Sequence, residues 1–113
     1  MKIVNETITI EELKALAKDI FGDMAKAVVD IEREIIAVNA ELHADLEALL
    51  LENGSKQKNL WGINFYLDAS GDDFVEYDAM INVRPSQNNR SRGVEDEKIR
   101  KKIVQIVDQR VKR

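Results

Sequence analysis

Alternation of apolar and polar residues is clearest between positions 60 and 83, where it predicts two neighbouring β-strands. In "WGINFYLD" the apolar set is Trp61, Ile63, Phe65 and Leu67. In "FVEYDAMINV" the apolar set is Val75, Tyr77, Ala79, Ile81 and Val83. The segment "ASGDD" between them supplies turn residues, and Pro85, which lacks an amide donor, closes the second strand. The pattern predicts a β-hairpin with one buried and one wetter face.

Three other segments have helical spacing. Thr9 with Glu12 has the sequence of a capping box, which predicts a helix from about 10 to 21 that stops at Gly22. Residues 41 to 52, "ELHADLEALLLE", place leucines at i, i+4, i+7 and i+8 and end at "NG", which predicts a second helix. A final helix is predicted from about 95 to 111, with acidic residues at its positive end.

The segment from 24 to 39, "MAKAVVDIEREIIAVN", fits both periodicities. Met24, Val28, Ile31, Ile35 and Val38 have helical spacing, whereas Ala27, Val29 and Ile31 alternate as in a strand. The β-branched clusters "AVVDI" and "EIIAV", which flank the charged "ERE", favour two short strands joined by a tight turn.

These elements predict one α+β domain over residues 1 to 113. We expect an antiparallel sheet of about four strands, with the first, middle and last helices packed on its buried face. The alternative is a mostly helical first half followed by one hairpin and a final helix.

Composition excludes several classes of site. The chain has no cysteine, so disulfides, thiolate zinc sites and cysteine nucleophiles are excluded. No apolar run approaches the length of a membrane span, and "MKIVNETITIEELK" carries acids where a signal peptide needs an apolar stretch. We expect a cytoplasmic protein without membrane contact.

Charge is unevenly distributed along the chain. Residues 1 to 83 carry 17 acids and 7 bases, a net of −10, and residues 84 to 113 carry 4 acids and 10 bases, a net of +6. The asymmetry favours a basic patch for an anionic partner or a self-complementary surface in a homo-oligomer. The alternative is that the two parts neutralise each other within one fold.

Several strings together carry a resemblance to a known family: "VVDIEREI", "ELHAD", "LLLENGS", "LWGIN" and above all "MINVRPSQNNRSRGVED". Over nearly its whole length the chain resembles a family of small uncharacterised archaeal and bacterial proteins described as a domain of unknown function. The resemblance implies a stand-alone prokaryotic domain with no established activity, so it supplies no catalytic residues.

The strongest candidate site is the arginine loop, residues 84 to 94. Its arginines present planar charged groups, its other polar side chains add neutral donors, and Gly93 lets the backbone approach closely. The candidate ligand-binding residues are Arg84, Ser86, Gln87, Asn89, Arg90, Ser91 and Arg92. They predict a cradle for a phosphate, a nucleotide or a carboxylate, although the acids at 95 to 97 would repel an anion at the helix start. The alternative is an intramolecular clamp in which the arginines pair with the acidic part of the chain.

The second candidate is His43, the only histidine in the chain. On a helix it shares a face with Glu47, which is half of a metal site, and the candidate metal ligands are His43, Asp45 and Glu47. A third ligand would come from Asp30, Glu32 or a second subunit. A general acid or base role for His43 is an alternative, and so is an ordinary solvated histidine.

Two weaker candidates complete the set. The wetter face of the hairpin carries a carboxylate pair that suits a hard cation or acid–base chemistry, within the group Asn64, Tyr66, Glu76, Asp78 and Asn82. Nucleic-acid binding is less favoured, because the whole chain is acidic and no aromatic residues interleave with the C-terminal bases.

Three functional hypotheses follow. The first is a binding domain for a small anionic ligand held by the arginine loop. The second is a homo-oligomeric assembly protein. The third and least supported is a small metal-dependent or acid–base enzyme that uses His43, and it requires His43 and the arginine loop to face one cleft.

Overall fold

The computed structural model describes residues 1 to 113 and shows three helices around a five-stranded sheet. The helices are α1 (Ile10–Ala17), α2 (His43–Glu52) and α3 (Glu97–Arg110). The strands are β1 (Lys2–Val4), β2 (Ile8–Thr9), β3 (Met24–Asp30), β4 (Ile35–Val38), β5 (Leu60–Tyr66), β6 (Val75–Glu76) and β7 (Val111–Lys112). The main sheet has the order β1-β4-β3-β5-β6 with antiparallel neighbours, and β2 pairs with β7 in parallel. The predicted α+β class is confirmed, and the sheet has five strands where about four were expected.

The segment from 24 to 39 forms two strands, as its β-branched clusters favoured. The charged residues between the strands make the turn from β3 to β4, where the Asp30 carboxylate accepts bonds from the amides of Glu32 and Arg33, both at 3.0 Å. Glu34 closes the turn in the left-handed region with φ of +57°. The helical alternative for this segment is therefore wrong.

The sheet is covered on both faces. On one face, α1 and α3 pack against alternate residues of β3 and β5, including Ala27, Val29, Ile63 and Phe65. On the other face, Leu46 and Leu50 of α2 pack against Val28, Ala37 and Leu60. The expectation that all three helices share one buried face is wrong, because apolar runs in β3 and β4 supply contacts on both sides of the sheet.

The second strand of the predicted hairpin is much shorter than its alternation indicated. β6 pairs with β5 only through Glu76 with Asn64 and Val75 with Phe65. Farther along, the buried Asn82 side chain replaces a strand backbone: its Oδ1 accepts from the Gly62 amide at 2.8 Å and its Nδ2 donates to the Gly62 carbonyl at 2.9 Å. A Cβ atom on Gly62 would lie 2.5 Å from the Ala79 Cβ. Only glycine at this position therefore lets the segment after β6 lie so close to β5.

The predicted helices are present with shifted ends. The capping box of α1 is observed, since Thr9 Oγ1 accepts from the Glu12 amide at 3.1 Å and Glu12 Oε1 accepts from the Thr9 amide at 3.3 Å. α1 ends at Ala17 rather than near 21, while α2 and α3 each begin two residues later than expected. None of the three helices combines the length and the apolar character that crossing a membrane requires.

Candidate functional site

Arg84 is held against β5 by its own chain. Its guanidinium lies 4.2 Å from the centre of the Trp61 ring, and its nitrogens donate to the carbonyls of Gln57 and Leu60. Burial lowers the pKa of Arg84, and the charge of Glu47 partly opposes that shift. The hydrogen bonds of this arginine are therefore directed to backbone carbonyls of the protein.

Asn89 is the buried centre of the arginine loop. Its Nδ2 donates to the carbonyls of Asn82 at 2.7 Å and Gly93 at 2.8 Å, and its Oδ1 accepts from the Glu95 amide at 2.9 Å. One asparagine side chain thus supplies the internal bonds that a strand or helix would supply by its backbone.

The free amides of the loop bind a carboxylate of the protein itself. Glu95 Oε2 accepts from the amide of Arg90 at 2.7 Å and from the amide of Ser91 at 2.8 Å. The backbone bonds from Ser91 and Arg90 lower the pKa of Glu95. This exposed carboxylate occupies the position in which a cradle would hold an external anion.

The other candidate residues of the loop diverge. Arg92 Nε lies 2.7 Å from Asp78 Oδ1, and Gln87 donates to the carbonyl of Lys58 at 3.1 Å. The side chains of Ser86 and Arg90 are exposed and have no hydrogen-bond partner in the protein. Arg92 pairs with an acid of the first 83 residues, as the clamp predicts, whereas Arg84 and Asn89 bond to backbone groups.

A cleft of about 380 Å³ lies beside the start of α2, and we call it the His43 cleft. Its polar lining comes from α2, β5, β6, the segment after β6 and the arginine loop: His43, Asn64, Tyr66, Glu76, Asp78 and Arg92. Lys26 of β3 lines it too, and Met24, Leu42, Ala44, Met80 and Ile81 supply its apolar lining. The structure therefore brings His43, one residue of the arginine loop and the polar face of the predicted hairpin except Asn82 into a single site.

His43 is the first residue of α2 and is only 8% exposed. Its Nε2 lies 2.9 Å from the carbonyl oxygen of Ile63, which can only accept, so Nε2 carries the proton and the neutral ring keeps a lone pair on Nδ1. Burial lowers the pKa of His43, and the bond with Ile63 and the nearby Asn64 side chain oppose part of that shift. The imidazole is therefore predominantly neutral at pH 7.

Asn64, Tyr66 and Glu76 form a hydrogen-bonded group in the cleft. Glu76 Oε1 accepts from Asn64 Nδ2 and from the Tyr66 hydroxyl, both at 2.9 Å, and Asn64 Nδ2 also donates to the Asp78 carbonyl at 3.1 Å. The bond to Glu76 raises the pKa of Tyr66. Asn64 is 6% exposed, and its Oδ1 is buried with no partner in the protein.

Comparison with known proteins assigns the chain to a family by its sequence. The family model described as "Protein of unknown function (DUF5674)" matches residues 2 to 110. The chain belongs to this family. It matches no curated protein and no solved structure.

The metal ligands predicted for this DUF5674 protein are not assembled into a site. Nowhere in residues 1 to 113 do three or more histidine, aspartate or glutamate side chains stand close enough together to hold a metal ion. His43 lines the cleft, whereas Asp45 and Glu47 do not. The Asp30 carboxylate, a suggested third ligand, is bonded within the β3–β4 turn and accepts from the Ser55 hydroxyl at 2.6 Å.

Sequence reasoning identified most polar residues of the DUF5674 cleft but not their common location. Asn64, Glu76 and Asp78 were candidates on a hairpin face, and His43 was a candidate on a separate helix. Lys26 was not a candidate at all, because one lysine in an alternating strand is typical of solvent exposure. Its alternation with the buried Ala25 and Ala27 is the only signal that could have placed it on the same face as Asn64.

Proposed function

We propose that this DUF5674 protein is a binding domain for a small molecule and that its site is the His43 cleft. The observation that carries the proposal is the pair of buried polar side chains in the cleft, Asn64 and His43. Asn64 Oδ1 has no partner, and His43 Nδ1 is unprotonated. Buried polar atoms are normally bonded, so a buried acceptor left open beside a cleft is typical of a group that a ligand completes.

The entrance to the cleft supports the same function. Leu42 is 57% exposed and Met80 is 66% exposed, and Tyr66 adds a partly exposed aromatic ring. A site with polar groups at its buried end and apolar side chains at its edge suits a small molecule that has both characters.

Anion binding by the arginine loop is the weaker form of the proposal. Arg84 and Arg92 already have protein partners, and the Glu95 carboxylate occupies the loop amides. Arg90 alone keeps a guanidinium without a partner, which is too little to build a cradle.

The proposal is tested by closing the cleft. Ala44 is exposed and lines the cleft, whereas Ala48, one turn later on α2, is exposed and does not line it. We expect Ala44→Phe to abolish the binding of small polar molecules found with the wild type in a saturation-transfer NMR screen. We expect Ala48→Phe, the matched control, to leave that binding intact.

Either of two results would contradict the proposal: molecules that bind equally well to both variants, or a broad screen in which the wild type binds nothing. Both variants are first compared by thermal unfolding, since an aromatic residue at either exposed helical position should leave the fold intact.

Acid–base catalysis by His43 is a second candidate. The fixed protonation of Nε2 leaves Nδ1 of the neutral ring as a proton acceptor, and Arg92 of the arginine loop lines the same cleft, as the enzyme hypothesis requires. The test follows each bound molecule by NMR for chemical conversion in the presence of wild type and His43→Gln. Conversion by the wild type that is lost in His43→Gln would show that the protein is an enzyme that uses His43.

The cytoplasmic location, the prokaryotic origin and the homo-oligomer stay predictions. An assembly driven by opposite charges should dissociate when salt is added. Sedimentation at low and high salt measures that directly.

A further inference from the structure

We infer that the ligand enters the His43 cleft with a neutral hydrogen-bond donor, a primary amide or a hydroxyl group, at its buried end. This inference rests on the proposed function and names the chemical class that the site selects. Asn64 is the residue that sets the selection.

The orientation of the Asn64 amide is fixed by its neighbours. Its Nδ2 donates to the carboxylate of Glu76 and to the carbonyl of Asp78, and neither of these oxygens can donate in return. Oδ1 is therefore directed away from both and is left as a buried acceptor without a partner. An arriving N–H or O–H group satisfies it, whereas a carboxylate or phosphate oxygen brings a second acceptor.

His43 supplies a further acceptor in the same cleft. Because Nε2 donates to Ile63, the lone pair of the neutral ring is on Nδ1. A primary amide carries two N–H donors and can serve both Asn64 and His43, whereas a hydroxyl group can donate to one of them.

The charges that line the cleft disfavour an ionic group. Lys26 and Arg92 are balanced by Glu76 and Asp78, and His43 is neutral, so the cleft has no net charge. Arg92 is bonded to Asp78 at 2.7 Å, and Glu76 accepts from Asn64 and Tyr66. Either ion would meet two like charges beside two opposite ones, and either would lose solvation on entry.

The experiment compares four probes of four carbon atoms each, butanamide and butyrate with the same propyl chain, and 1-butanol and butylamine with the same butyl chain. Each is titrated into ¹⁵N-labelled wild-type protein at about pH 7.5, and the signals of the Asn64 side-chain amide and of the backbone amides of Ala44 and Ile63 are followed. We expect butanamide to bind about 5-fold or more tightly than butyrate and butylamine, which corresponds to about one additional satisfied hydrogen bond. We expect 1-butanol to fall between the amide and the ions.

The outcomes separate the two proposals. Tightest binding by butyrate or butylamine at these signals, or equal binding by all four probes, overturns the inference and leaves the cleft as a binding site. Absence of any saturable shift at these signals overturns both. The series uses the wild type alone, so it does not depend on the folding of an Asn64 variant, and Ala44→Phe confirms that the shifts arise in the cleft.

Discussion

At the scale of single residues, buried asparagine side chains form hydrogen bonds to backbone groups that neighbouring strands would form in a regular sheet. Asn82 pairs with both backbone groups of Gly62, and Asn89 joins the two ends of the arginine loop. Asn64 uses its amide nitrogen in the same way but leaves its oxygen open. The open oxygen distinguishes Asn64 from the other two asparagines and is the reason that we propose a binding role for it.

Replacement of Asn82 by alanine is expected to destabilise the protein by about 3 kcal/mol. The substitution leaves the amide and carbonyl of Gly62 and the carbonyl of Arg92 without their partner in a buried region. Urea unfolding measures the change in the free energy of unfolding. Asn88→Gly is the control, because Asn88 is exposed with φ of +61°, which glycine adopts freely, and its effect should stay within about 0.5 kcal/mol. Equal effects of the two substitutions would show that Asn82 does not replace a strand.

His43 makes stability depend on pH. Its folded pKa lies below the ordinary value of 6.5, so the unfolded chain takes up a proton at a higher pH than the folded protein does. The free energy of unfolding should therefore fall as pH decreases from about 6.5 toward the folded pKa, by up to about 1.4 kcal/mol per pH unit. Urea unfolding at several pH values measures this slope.

His43→Gln should remove that slope while keeping a side-chain donor for Ile63. Because the chain has one histidine, NMR titration of its ring reports the folded pKa without ambiguity. A ring that titrates at or above 6.5 would refute the expectation.

At the scale of elements, the arginine loop and the residues just before it connect the C-terminal part of the chain to β5. Arg84 binds one end of β5 through Leu60 and Trp61, and Asn82 binds the next residue, Gly62. Three side chains of the loop, Arg84, Gln87 and Asn89, thus donate to neighbouring backbone carbonyls.

These contacts predict that substitutions of the loop arginines have unequal effects on stability. Arg84→Ala should destabilise the protein by about 2 kcal/mol, because two carbonyl partners and the contact with Trp61 are lost. Arg90→Ala should change the free energy of unfolding by less than about 0.5 kcal/mol. Thermal or urea unfolding of both variants, with and without phosphate, makes the comparison. If phosphate stabilises the wild type and Arg90→Ala loses that effect, the loop is an anion site after all.

Sequence signals within a few residues predicted the helices and most strands. Contacts between residues distant in sequence determine where β6 ends and where the cleft forms. The capping box of α1 needs only Thr9 and Glu12, three positions apart, so it is readable from sequence. The end of β6 is not readable, because it depends on Asn82 meeting Gly62 twenty positions earlier. The His43 cleft joins β3, α2, β5 and the segment after β6, and no pattern within any one of them places α2 beside Asn64.

At the scale of the whole molecule, the opposite charges of the two parts of the chain meet in part within the fold. Lys102 of α3 bonds to the Glu34 carboxylate, and Arg92 bonds to Asp78. The Lys102 contact lowers the pKa of Glu34. These contacts support the intramolecular neutralisation that the sequence left as an alternative to assembly, and they leave most of the C-terminal bases facing solvent.

The parallel pair of β2 and β7 has a consequence for the order of folding. Ile8 pairs with Val111 and Thr9 with Lys112, so this pair joins two segments from near opposite ends of the described chain. Closing so long a loop costs more conformational entropy than forming the local β3–β4 turn, and distant contacts form slowly. We therefore expect the β3–β4 hairpin to form before the two ends of the chain pair with each other.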